Sequence, residues 1–142
     1  MKFNIIISIT IAGLFFLSKN TMASSNFFDE GKKLFLEEKY KDAKFKFEKD
    51  IVLNPKNELS YLYLSKIFKN LDKKNLQEQN LNTVILLNPK NEEAIFNLAK
   101  LKLESSDYKK SKELNDRLNS LCNKFCSESK KLKIEIENLS KK

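Results

Sequence analysis

The sequence predicts an all-α fold in which three helical hairpins stack in series and a C-terminal helix closes the stack. Three observations carry this. The chain has two Gly and two Pro in 142 residues, too few turn formers for many short strands. The two prolines, Pro55 and Pro89, stand 34 positions apart, and Ile51-Val52-Leu53-Asn54-Pro55-Lys56-Asn57-Glu58 recurs as Ile85-Leu86-Leu87-Asn88-Pro89-Lys90-Asn91-Glu92 with seven of eight residues identical. Between these segments apolar residues fall at helical spacing. Self-similarity at such a period marks stacked supersecondary units, each unable to bury its apolar face alone.

The first residues read as an address. Lys2 supplies a positive start, Ile5 to Leu17 is an apolar run of thirteen residues, and Thr21-Met22-Ala23 places small residues where a signal peptidase acts. A helix of that length covers about 20 Å, short of the ~30 Å hydrocarbon core. Cleavage after Ala23 is expected, leaving no stable membrane anchor, and no Cys follows the run to take a lipid. The mature chain, 24–142, loses Lys2 and Lys19, so the net charge falls from +8 to +6. A periplasmic or secreted location follows as the expectation, and nucleic acid is not an expected partner. The lysines are interspersed with acids and read mostly as a solvated surface.

The hairpins follow in order. Phe27, Gly31 and Leu34 open the first, and Ala43, Phe47 and Ile51 share one face of its second helix. Tyr61, Leu64, Ser65 and Phe68 fall at i, i+3, i+4, i+7 in the second hairpin, answered by Leu81, Val84 and Ile85. Ile95, Leu98 and Ala99 begin the third, answered by Leu114, Leu118 and Leu121. Polar breaks at Glu37 to Lys39, Asp72 to Lys74 and Ser105 to Asp107 separate the helices of each hairpin. At the junctions Pro forbids continuation of a helix, and Asn57 and Asn91 are N-cap candidates followed by Glu58 and Glu92 in the first turn. A capping helix is expected over 128–140, with Leu132, Ile136 and Leu139 inward and Lys130, Lys131, Glu135 and Glu137 outward.

A 34-residue period with Pro between units resembles the tetratricopeptide repeat (TPR) family. The resemblance covers about 24–126, with repeats at about 24–57, 58–91 and 92–125. It implies a TPR-type solenoid spanning 24–142, in which paired helices cross at small residues, as Gly31 with Ala43 and Ala99 with Ser111. Tyr40 and Tyr108 match an aromatic common early in the second helix. Gln77, Lys74, Lys102 and Asn123 depart from the pattern, standing where Ala, an aromatic, a large apolar residue and a third Pro are usual.

The composition narrows the chemistry. With no His, His-based acid–base catalysis and most zinc sites are removed. Gly13 and Gly31 cannot form a phosphate-cradling loop. Acidic pairs such as Glu37-Glu38 and Glu92-Glu93 are sequence neighbours, which diverge by roughly 100° on a helix. No catalytic residue, metal or cofactor is expected, and the protein is read as non-enzymatic.

Cys122 and Cys126 are read first as a disulfide in an oxidising compartment. Such a bond requires a bend between them, because Cβ atoms four apart in a regular helix sit too far apart, and Ser127 is the expected cap of the helix beyond it. Free thiols and a thiol–redox pair remain alternatives. In TPR proteins the first helices line a concave groove, so residues one period apart form columns: Lys32, Lys66 and Lys100 in one, Phe28, Leu62 and Phe96 in another, flanked by Tyr63 and Asn97. Such a groove suits a partner peptide with acidic groups or a free C-terminus. The expected function is protein–protein interaction as an adaptor or assembly factor in the bacterial envelope. The alternatives are a periplasmic thiol accessory protein using Cys122 and Cys126, or a binder of anionic envelope polymers.

Overall fold

The computed structural model describes residues 26–141; the expected leader, residues 1–23 with cleavage after Ala23, lies outside them. Among the described residues seven helices follow one another: α1 (Phe27–Leu36), α2 (Tyr40–Leu53), α3 (Glu58–Asn70), α4 (Lys74–Leu87), α5 (Glu92–Glu104), α6 (Tyr108–Leu121) and α7 (Cys126–Leu139). The pairs α1/α2, α3/α4 and α5/α6 are the hairpins, α2/α3, α4/α5 and α6/α7 pack hairpin on hairpin, and α1 touches α3 as α5 touches α7. No described helix is long and apolar enough to cross a membrane.

The turn inside each hairpin repeats at the same period. Glu38, Asp72 and Ser106 have φ of 57°, 51° and 61°. In each turn the positive-φ residue donates its N–H three back and the next residue donates five back, as Glu38 to Phe35 at 3.0 Å and Lys39 to Leu34 at 2.9 Å. This is the Schellman closure, in which a left-handed residue lets the last carbonyls of a helix find donors. Glycine usually holds that place; here Glu, Asp and Ser do.

The junctions between hairpins are held by acidic and amide side chains. Asn57 caps α3 by accepting the Leu59 N–H at 3.2 Å, and Asn91 caps α5 by accepting that of Ala94 at 3.0 Å. Asp50, 1% exposed, accepts from Asn54 Nδ2 at 3.1 Å, Asn57 Nδ2 at 2.6 Å and Ser60 Oγ at 2.5 Å. Glu58 Oε1 accepts from Asn88 and Asn91 Nδ2 at 2.7 and 3.3 Å.

Two apolar clusters form the interior. One joins Ala43, Phe47, Leu64, Ile67 and Phe68. The larger joins Leu62, Leu81, Val84, Ile95, Leu98, Leu114, Leu118, Leu132 and Ile136 among others. At the first crossing, a Cβ on Gly31 would lie 2.9 Å from the Phe47 ring, so it is Phe47 that needs the glycine. At the third, Ser111 Oγ donates to the Ala99 carbonyl at 2.9 Å, which is how a hydroxyl is accommodated at full burial. One expectation needs correction: α7 begins at Cys126 with Phe125 before it and no side-chain cap, so Ser127 lies inside the helix, because the Ser129 N–H already closes a helical turn onto the Phe125 carbonyl at 2.9 Å.

Candidate functional site

The face built by α1, α3, α5 and α7 carries the expected groove residues, and the structure sorts them. Lys32 on α1 is exposed, and Asn97 and Lys100 on α5 are half-buried. Lys66 on α3 pairs with Glu93 on α5 at 2.7 Å and lies 5.0 Å over the Tyr63 ring. Within the expected lysine column the middle charge is therefore matched by Glu93, the neighbour of the N-terminal acid of α5.

The apolar column is largely engaged in packing as well. Leu62 is 4% exposed and belongs to the larger core. Phe28 packs 5.9 Å from the rings of both Phe47 and Tyr63, and Phe96 packs 5.4 Å from that of Phe125. Tyr63 stacks on Phe47 with centroids 5.0 Å apart. Most of this column is packing between hairpins. Equal position in successive repeats assigns residues to one face, but the bulk of neighbouring side chains decides what reaches solvent.

Two depressions mark the C-terminal half of this face. One, of about 210 Å³, lies between Phe96, Lys100, Glu128, Lys131, Leu132 and Glu135. The other, of about 310 Å³, is lined by Leu59 and Leu62 of α3, by Lys90, Asn91 and Glu93 at the start of α5, and by Lys124 and Phe125 of the turn after α6. Sequence reasoning missed Leu59, Glu93, Lys124 and Phe125. Only Glu93 carried a signal, as the acid beside the Glu58/Glu92 repeat. A larger apolar depression of about 470 Å³, lined by Phe27, Phe45, Val52 and Leu53, lies on the first hairpin away from these residues.

The turn after α6 supplies part of the lining of the 310 Å³ depression. Cys122 and Cys126 are joined by a disulfide, with Cα atoms 5.1 Å apart. The bend expected for such a bond is the break between Leu121 and Cys126. Inside that turn the N–H groups of Asn123, Lys124 and Phe125 donate to the Glu92 carboxylate at 3.1, 2.8 and 2.9 Å. The Phe125 N–H most of all, with those of Lys124 and Asn123 and the nearby Lys124 charge, holds the Glu92 pKa below its usual value against the opposing effect of burial. Backbone donors favour the charged form of the acid they face.

No protein-family model and no curated protein sequence matches the chain. Solved structures do. The TPR2B domain of yeast Sti1, in complex with pHsp70, superposes with a TM-score of 0.75 at 16% identity, covering 84% of this chain and 99% of that one. The first TPR of Spaghetti (RPAP3), bound to the HSP90 peptide SRMEEVD, gives 0.73 at 17%, covering 85% and 96%. The Yersinia enterocolitica type III secretion chaperone SycD, in complex with a peptide of the translocator YopD, gives 0.73 at 18%, covering 82% and 93%.

The fold is a TPR solenoid.

Its departures from the TPR pattern have local reasons. Lys102 reaches Glu78 on the preceding hairpin at 2.6 Å, joining two hairpins by charge where an apolar contact is usual. Asn123 gives the N–H that binds Glu92, a bond that Pro has no donor to make. Gln77 is 6% exposed on α4, buried although it is larger than the usual Ala.

Proposed function

We propose that this TPR solenoid is a non-catalytic peptide-binding module, acting as an adaptor or assembly factor in the bacterial cell envelope. The observation that carries the reading is the α1/α3/α5/α7 face. It keeps Lys32, Tyr63, Asn97 and Lys100 outside the buried core and adds two side-chain depressions at its C-terminal half. The HSP90 peptide bound by RPAP3 and the YopD peptide bound by SycD, on the same fold, support it. An acidic or C-terminal segment fits Lys32, which is exposed, and Lys100, which is half-buried. Export rests on the leader read in residues 1–23, with Ser24 as the mature N-terminus.

Affinity capture from envelope extract tests the reading, run beside a Lys32→Glu, Lys100→Glu variant whose helicity is checked by circular dichroism. A defined protein retained by the wild type and lost by the variant supports groove binding. Equal retention by both removes this face as the binding site, and no retention removes the adaptor reading. The intact mass of the exported protein tests the location: a chain beginning at Ser24 is expected, and a chain retaining residues 1–23 refutes cleavage.

A further inference from the structure

The 310 Å³ depression differs from the rest of the face in how its wall is held. At the second junction the equivalent turn runs from Asn88 to Asn91, stiffened by Pro89 and tied to Glu58 by two amide side chains. At the third junction Asn123 stands in place of the Pro and Phe125 in place of Asn91. The constraint lost with them is supplied by the Cys122–Cys126 bond and the three N–H groups gripped by Glu92.

The lining also selects a ligand. Leu59, 43% exposed, lines the depression together with Lys124 and Phe125. Glu93 is engaged by Lys66, and both Glu92 oxygens face the turn amides. Lys124 lies near the Glu92 carboxylate, whereas Lys90 forms no ion pair among the described residues. The uncommitted charge in the lining is that of Lys90, and it is positive.

We propose that this depression is a subsite for an apolar side chain with an adjacent carboxylate on the partner peptide, and that the Cys122–Cys126 disulfide holds its wall so that a dithiol reductant opens it. The proposal rests on the peptide-binding reading above and adds the chemistry of one position and its control. In the opening step one thiolate of the dithiol attacks one sulfur, the S–S bond breaks, and the other sulfur leaves as a thiolate that takes a proton. The second thiol of the reductant then displaces the mixed disulfide. Two electrons and two protons pass to Cys122 and Cys126, and the dithiol ends as its own disulfide. Both cysteines are half-buried rather than enclosed, so a small dithiol reaches them. Reduction frees Asn123, Lys124 and Phe125 to leave Glu92, and the wall with them.

Two measurements on the purified chain test this. N-acetyl-leucine, an isobutyl group beside a carboxylate, is titrated and followed by amide NMR. Saturable shifts are expected at Lys90, Asn91, Lys124 and Phe125, with N-acetyl-leucinamide about tenfold weaker, and with binding about tenfold weaker after reduction by dithiothreitol. Without any ligand, hydrogen exchange at Asn123, Lys124 and Phe125 is expected to quicken about tenfold or more on reduction while Leu98 and Leu114 keep their protection. A Cys122→Ser, Cys126→Ser variant should match the reduced protein in both. Equal titrations in both redox states, no saturable shifts when oxidised, or unchanged turn exchange overturn the proposal. So does loss of protection at Leu98 and Leu114, which makes the bond a staple of the whole fold. Should the capture experiment fail, the adaptor reading falls while both measurements still decide this one.

Discussion

Asp50 offers a quantitative test of how the first junction is held. Its side chain is 1% exposed and accepts from Asn54, Asn57 and Ser60, and Ser60 is itself fully buried at 0%. One period on, the same two positions hold Val84 and Ala94, both 0% exposed in the larger core. Asp50→Val keeps the volume but removes the acceptor. Asn54 and Asn57 lie at the edge and turn to water, whereas the Ser60 hydroxyl is left buried without a partner, which costs about 1–3 kcal/mol. The single variant is therefore expected to lose about 2 kcal/mol. Adding Ser60→Ala recreates the pair found in the next hairpin and is expected to bring the protein within about 1 kcal/mol of wild type, a coupling of about 1–2 kcal/mol. Urea unfolding followed by circular dichroism measures this, with the slope unchanged so that the midpoints compare directly. A double variant no more stable than Asp50→Val refutes the orphaned-hydroxyl argument. A neutral Asp50→Val shows that the three hydrogen bonds have no net worth.

Other outcomes follow from the same geometry. Gly31→Ala puts a Cβ 2.9 Å from the buried Phe47 ring; overpacking of about 1–3 kcal/mol outweighs a helix gain of about 1 kcal/mol, so thermal unfolding should show a net loss of about 1 kcal/mol. Replacing Glu38, Asp72 or Ser106 by Gly relieves a left-handed residue worth about 1–2 kcal/mol against a glycine entropy cost of about 0.5–1 kcal/mol, so each variant should gain about 0.5–1 kcal/mol in chemical unfolding. Glu92 has a lowered folded pKa, so its hold on the turn is complete above the unfolded value and lost as pH falls through the folded one; protection from amide exchange at Lys124 and Phe125, relative to the intrinsic rate at each pH, should fall as pH drops below the usual glutamate range, and Glu92→Gln should remove that dependence. Lys66→Ala breaks a partly exposed pair with Glu93 and should cost less than about 1 kcal/mol in urea unfolding.

The repeat was legible in the sequence because Pro and Asn act locally. Pro55 and Pro89 stop helices wherever they stand, and Asn57 and Asn91 cap the next ones with their own side chains. The hairpin turns were legible only as polar breaks, because their left-handed residues are not glycines and carry no compositional mark. The site was less legible. Periodicity placed Leu62 and Lys66 on the right helix face, yet the burial of the first and the pairing of the second depend on α5 and its Glu93, which no column of equivalent positions contains. The grip of Glu92 was invisible for another reason: its partners are backbone amides, which every sequence has, and only the closed turn aims three of them at one carboxylate.

The division of the interior into two clusters gives α3 an unusual mechanical role. Leu62 faces the larger cluster, while Leu64, Ile67 and Phe68 face the smaller one around Phe47. A load applied between Phe27 and Leu139 must cross that single helix, which belongs to both halves at once. The first hairpin is anchored by α3 on one side only, whereas the later hairpins are braced on both. Under tension the chain should therefore yield in two steps, α1 and α2 peeling away first while the part closed by α7 still bears force.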